Sequence, residues 1–326
     1  MITSGNQATG AVLTPGGLNV YIENMAIRQF TKDNRFYTAL PKKSLPAGQH
    51  AYVMNVPART VTTVTQSTLV EGTTPNETSF SFGQVAVICT QYGSYSKISD
   101  VGDLDSVFNL YEETAFELSR NLAEISDKVI QNELLANGTY VFYAGGQTAR
   151  ANITTTNYLK NSDLAAARTL LNAKAAPGID GTNYCGVFHS FVVFDLRTDA
   201  TVNGGWIDTV KYSMPEKVMS NEVGMMHNVR ILETQTITPF LGGVGGTVNI
   251  FPSYVFGKNA YQVVESQPFT TIIKSNTEGG AENPLNLYGS VGVKLRFGVK
   301  IKKQEALLRL ESAASLAIGY LAGLPY

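Results

Sequence analysis

The sequence predicts an α+β fold, and three observations carry that expectation. Residues 51–95 are dominated by valine and threonine, an apolar series from Val107 to Val129 has helical spacing, and over residues 293–302 apolar side chains alternate with lysine, arginine and one glycine, Gly298. β-Branched residues suit a pleated surface better than a helix, so the first stretch is expected to be strand. Between Thr60 and Thr78 it holds eight threonines, with a turn signal at Glu71, Gly72, Thr73, Thr74 and Pro75. That pattern describes a long hairpin with a polar tip. An isolated two-stranded ribbon is marginal in water, so the hairpin needs another surface to lie on.

The second observation defines a helix. Val107, Tyr111, Thr114, Leu118, Leu122, Ile125 and Val129 are spaced 4, 3, 4, 4, 3, 4, with Asp105 or Ser106 available as a cap and Asn137–Gly138 as a stop. Thirty residues rise roughly 45 Å, which makes this element a spine. The third observation defines a two-faced strand: Val293, Leu295, Phe297, Val299 and Ile301 on one side, Lys294, Arg296, Lys300 and Lys302 on the other.

Shorter elements fill the rest. Leu18, Tyr21, Ile22 and Met25 mark a helix ending near Phe30, Thr139–Thr156 reads as a hairpin turning at Gly145 and Gly146, and Ser162 is placed to cap a helix through Ala175. Residues 184–265 mix short strands, short helices and glycine turns in one lobe.

Composition narrows the function. Of 326 residues 44% are hydrophobic and only 16% charged, well under the average of about 25%, so much uncharged surface is left for protein contacts. A net charge of −1 gives no global attraction to nucleic acid or anionic membrane. No apolar stretch is long enough for a bilayer span; the longest is Ala313–Leu324. Cys89 and Cys185 lie in apolar segments without zinc-site spacing and are expected to be small buried residues in a reducing compartment.

Motifs for catalysis are missing. There is no G-x-S-x-G and no H-E-x-x-H, and His50, His189 and His227 have no ligand partner at helical or hairpin spacing. Gly242, Gly243, Val244, Gly245 and Gly246 precede a strand rather than a helix, which suits a turn and not a phosphate loop. Asp103 and Asp105 stand beside a helix start and are better explained as caps than as an acid/base pair. No enzyme is expected, and no cofactor or metal.

The order of parts, together with Glu71, Gly72 and Pro75, then Gln91, Tyr92 and Gly93 with Ser99 and Asp100, then Asp127, Tyr184–His189, Asp195–Leu196, Glu222–Gly224 and Val229–Glu233, resembles the major capsid proteins of tailed bacteriophages. Within that group it is similar to coat proteins of the phage N4 type. The resemblance implies the Hong Kong 97 capsid fold: an N-terminal arm over 1–48, an extended β-hairpin loop over 49–95, a peripheral domain of 96–160 and 285–312 with its spine helix at about 106–137, an axial domain over 161–284, and a C-terminal tail over 313–326. Ser190 stands after His189 where the family is expected to have proline, and the tail extends past the family's usual end.

It implies self-assembly into hexamers and pentamers of an icosahedral shell around double-stranded DNA, in the virion, after assembly in the host cytoplasm. Expected partners are copies of the chain, a separate scaffolding protein, a portal protein, packaged DNA bound non-specifically and a decoration protein on some shells; no membrane is implied. Two alternatives stay open, an encapsulating compartment of the same fold that holds enzymes, and a β-rich binding module. Only about fifty residues precede the loop, so no long scaffolding segment is expected to be cleaved off; the intact mass of the coat protein from particles checks this, and loss of tens of N-terminal residues would refute it. For contact between subunits the candidates are Glu71 and Glu77 at the loop tip against Lys294, Arg296, Lys300 and Lys302, with a solvated basic face or contact with DNA as the competing explanations.

Overall fold

The computed structural model describes residues 15–46, 49, 51–57, 71–72, 74, 82–203, 207–208, 222–276 and 283–317. Helix α1 (Pro15–Asp33) and the one-turn α2 (Phe36–Ala39) lead into β1 (Lys43–Ser44). Strands β2 (Ala51–Pro57) and β3 (Phe82–Ile88) form the antiparallel stem of the expected hairpin, with Val53 paired to Ala86. Most of the threonine-rich span between them lies outside the described residues.

After β4 (Thr90–Ser99) comes a short helix, α3 (Asp100–Asp105), and then the long helix α4 (Leu110–Asn137). The cap of α4 is Asn109, whose side chain accepts from the Glu112 N–H, not Asp105 or Ser106. Ser106 is used locally instead: its hydroxyl accepts from the Phe108 N–H and donates to the Phe108 carbonyl, which breaks the helix from α3. The buried face also differs from the expected series. It runs through Ala115, Ser119, Leu122, Ala123, Ser126, Asp127, Ile130, Gln131 and Leu134, while Val107 is 93% exposed. Small side chains let α1 and α2 lie close against α4, and an apolar-periodicity count overlooks a seam built from Ala and Ser.

Two sheets flank this helix. A four-stranded sheet has the order β1-β12-β13-β4, with β12 (Tyr261–Lys274) and β13 (Tyr288–Ile301) each 14 residues long. A larger mixed sheet has the order β5-β14-β11-β6-β9-β8-β7, with β10 added on β11. Its strands are β5 (Val141–Tyr143), β6 (Tyr184–His189), β7 (Ile207–Asp208), β8 (Glu222–Met226), β9 (Val229–Thr234), β10 (Phe240–Gly242), β11 (Val248–Phe256) and β14 (Leu307–Ser312). Helices α5 (Asn161–Ala173) and α6 (Ser190–Asn203) complete that lobe.

Several expected boundaries move. Residues 15–46, within the expected arm, pack onto the subunit: Ile22, Ala26, Phe30, Phe36 and Tyr37 are buried, and a chain of ring contacts, one stacked and the others edge-on or tilted, runs from Phe269 through Phe30, Tyr37 and Phe297 to Tyr92. Strand β12 belongs to the sheet of the spine helix rather than to the lobe, and β14 belongs to the lobe's sheet rather than to the peripheral domain, because their hydrogen-bonded neighbours lie there. The tail is docked through Ala317: Ala313, Ala314 and Ala317 are buried, and Asp195 accepts from the Ser315 hydroxyl and N–H. Residues 318–326 lie outside the described residues.

The segment after α4 is not a two-stranded hairpin. β5 pairs in parallel with β14, and only a single bridge, Tyr143 to Gln147, spans the turn where Gly145 and Gly146 take positive φ. Helix α5 starts at Asn161, with the Asp163 carboxylate accepting the Lys160 N–H, so Ser162 is not its cap. The glycine run forms the expected turn, with Gly243, Gly245 and Gly246 all at positive φ before β11.

Candidate assembly surface

Antiparallel pairing brings three strands into register and sorts their side chains to two faces. One face contains Val291, Val293, Leu295 and Phe297 of β13, all buried under α1 and α4 with Ile98 of β4 nearby. On the opposite face the register places Lys97, Ser290 and Lys274 in one row, Tyr95, Gly292 and Ile272 in the next, then Gly93, Lys294 and Thr270, then Gln91, Arg296 and Gln267. Lys97 and Lys274 are exposed, Lys294 and Arg296 are half-exposed, and Tyr95 is 68% exposed. Lys97 Nζ stands 4.4 Å from the centre of the Tyr288 ring.

No carboxylate offsets these four cations from within the three strands. Their single acidic residue, Glu265, pairs with Phe297 in the register and turns to the buried side, where it accepts from the Tyr37 hydroxyl at 2.8 Å and lies 4.0 Å from Lys42. The result is a basic platform with aromatic and aliphatic side chains among its cations.

The stripe expected from sequence alone is therefore divided. Lys294 and Arg296 lie on the platform, but Lys300 is bound by Glu133 of α4 at 2.9 and 3.0 Å, and Lys302, past the strand end, has its Nζ 3.4 Å from Asn259 Oδ1. The cause is local: β4 stops pairing at Phe297, and the β12–β13 ladder shifts register on either side of Gln267. At Gly298 the backbone passes so close to Ile88 that a Cβ would strike its carbonyl. Lys97 and Lys274 instead join the platform at its other end, in the row of Ser290, and sequence reasoning missed them because strand register is not visible in one strand's pattern. Glu71 is exposed in a turn with Gly72 at positive φ, and among the described residues no ion pair joins it to these cations; Glu77 lies outside the described residues.

Groups that could suggest chemistry serve the fold. His189 packs on Phe191 and Phe251, and burial lowers its pKa to about 4. Cys185 is fully buried and its thiol is pushed up by desolvation, and Cys89 is also buried. Among the described residues no three His, Cys, Asp or Glu side chains converge on a metal position, and no helix is long and apolar enough to cross a membrane.

This arrangement of a two-stranded ribbon, a long helix and two sheets recurs in known proteins. A model of the phage capsid protein family matches residues 90–310, so the chain belongs to that family. It has the Hong Kong 97 fold. The capsid protein of Ralstonia phage GP4 is 14% identical with a TM-score of 0.66 over 84% of this chain and 86% of that one. The capsid protein of cyanophage Pam1 is 16% identical, TM-score 0.59, covering 88% and 92%. A virus-like particle from Pyrococcus furiosus is 10% identical, TM-score 0.54, covering 90% and 99%. No curated protein sequence matches. The chain is a phage major capsid protein, a structural component of the virion that assembles with copies of itself.

Proposed function

We propose that this coat protein closes a shell of hexamers and pentamers around double-stranded DNA, with the acidic hairpin tip of each subunit docked on the basic platform of a neighbour. What supports this reading is that one chain carries both a four-cation sheet face without carboxylates and a lysine-free loop segment whose sequence holds Glu71 and Glu77. Each exposed ion pair is worth only about 0 to 1 kcal/mol, but repetition over every subunit makes a cooperative assembly sensitive to it. The same proposal includes a separate scaffolding protein, a portal at one vertex, assembly in the host cytoplasm and no catalytic role.

A charge exchange tests the docking. Lys294→Glu with Arg296→Glu is expected to lower the melting temperature of shells at low salt, and adding Glu71→Lys with Glu77→Lys to restore part of the loss. At about 1 M salt, where the Debye length is roughly 3 Å, the restoration should vanish. Additive effects of the two pairs would reject the contact. If the cations met DNA instead, only filled particles would respond to the first pair, so empty shells separate the two explanations.

A second expectation follows from the loop's composition. No lysine occurs between Ser44 and Ser96, so no loop amine is available for a covalent link to a neighbour. Boiled particles on a denaturing gel should give one monomer band, and a ladder of oligomers would contradict this.

A further inference from the structure

At the end of the peripheral sheet, two ordered segments expose six large apolar side chains. Val101, Leu104, Val107 and Phe108 are 60%, 83%, 93% and 73% exposed, and Leu285 and Leu287 are 75% and 52% exposed. The segments are tied together by the Asp100 N–H donating to the Leu287 carbonyl at 2.9 Å. Each is also pinned from within. Ser99 accepts from the Gly102 N–H, Ser106 closes the turn at Phe108, and the buried Asn283 side chain accepts the Leu287 N–H at 2.8 Å and donates to the Tyr288 carbonyl at 2.7 Å. Helix α3 buries none of its side chains, so its valine and leucine do nothing for the subunit's own core. Large apolar side chains held in the open on two joined segments are unusual on soluble monomers and mark a contact.

The rim of the patch indicates what covers it. Asp100, Asp103 and Asp105 border it from the helix, while the row containing Lys97 and Lys274 borders it from the sheet. A partner of one charge sign would leave one border unmatched. A second copy of the same surface, rotated about a symmetry axis, sets the acidic border of one against the basic border of the next and closes the leucines, valine and phenylalanine between them. The geometry points to this surface as a self-contact that joins subunits of the shell through residues 100–108 and 283–288. It rests on the assignment of the chain as a shell protein and adds an apolar contact that shares the Lys97–Lys274 row with the platform but not the Lys294 and Arg296 rows that the docking test alters.

Engineered cysteines test it in assembled particles. Leu104→Cys and Leu285→Cys, made singly and together, introduce thiols against a low background because Cys89 and Cys185 are buried. Oxidised shells are expected to yield covalent multimers that close at a small number on non-reducing gels, several-fold more than unassembled subunits at equal concentration. Shells that assemble and stay monomeric on those gels, or cysteines that link only to a different polypeptide, would overturn the inference. As a second measurement, Leu104→Lys with Phe108→Lys should leave the circular dichroism of isolated subunits unchanged yet block or weaken shell formation, and unaltered shells would count against the contact. Failure of the underlying shell assignment is recognised separately, since the unmodified chain would then form no particles.

Discussion

Replacing Asp127 with alanine is expected to remove most of the stability of the subunit. The Asp127 carboxylate, on the buried face of the spine helix and fully shielded from solvent, accepts the backbone N–H groups of Arg35, Phe36 and Tyr37 at 2.7, 3.1 and 3.2 Å. It thereby caps α2 from another element and fixes the segment that carries Phe36 and Tyr37 into the core. Nearby bonds add to the same junction: Ser126 to Asn34, the Arg35 side chain to the Glu233 carbonyl, and Tyr261 to the Phe36 carbonyl. Alanine would strand three donors, two of them fully buried, at about 1 to 3 kcal/mol each, a loss of about 3 to 9 kcal/mol against a usual total of about 5 to 15. Asparagine keeps an acceptor for two of the three and should cost about 1 to 3 kcal/mol.

The same residue gives a pH signature. Two influences oppose each other at Asp127: burial favours the neutral acid, while three N–H donors and the nearby Arg35 charge favour the carboxylate. Burial is the larger and raises the pKa to about 7. A carboxyl whose pKa rises on folding binds a proton in the native state that the unfolded chain has already released, so its contribution to stability falls as pH rises from about 4 to about 7 and is constant outside that window. Relative to Asp127→Asn, the wild-type subunit should therefore gain stability on acidification, by at most about 1.4 kcal/mol per pH unit. Denaturant midpoints of both proteins from pH 4 to 8 measure this, and parallel curves would refute the shifted titration.

Glu311→Gln is expected to cost nearly as much. Glu311 is fully buried, held in bidentate fashion by Arg150 at 2.7 Å for both bonds and lying 2.9 Å from Arg309 Nε. Arg309 is itself buried, and its Nη1 donates to the Leu135 carbonyl in the last turn of α4, where the helix dipole favours a cation. The network thus ties the lobe's β14 to the end of the spine helix. Neutralising the acid leaves a buried guanidinium uncompensated, a loss of about 3 to 5 kcal/mol. Exchanging Arg309 and Glu311 together for Met and Leu should cost less than the single change, because the buried guanidinium leaves with its partner while Arg150, with 42% of its side chain exposed, can be solvated. Thermal unfolding of the three proteins decides it; a double variant worse than Glu311→Gln would show that the ion pair itself, not the stranded charge, sets the loss.

What could be seen in the sequence follows the physics of each signal. The long helix, the closing strand and the turn glycines were legible because periodicity and positive-φ residues are local properties. The position of α4's buried face was not, since a seam of Ala115, Ser119, Ala123 and Ser126 carries no hydrophobic signal and is fixed only by α1 and α2 packing on it. Ser106, a plausible cap by composition, is used in a turn with Phe108, and nothing local distinguishes the two uses. Half of the basic platform was legible: Lys294 and Arg296 alternate within one strand, whereas Lys97 and Lys274 reach it through pairing across residues far apart in the chain. Asp127 stood among the residues of the family resemblance, but its partners at 35–37 lie some ninety positions away and only the fold brings them together.

The central claim is that this chain builds a shell from copies of itself, and electron microscopy of the purified recombinant protein tests it most directly. Closed or aberrant shells with a uniform wall are the predicted image, appearing above a threshold concentration. A monodisperse monomer at every concentration, with and without co-expressed scaffolding protein, would contradict the account.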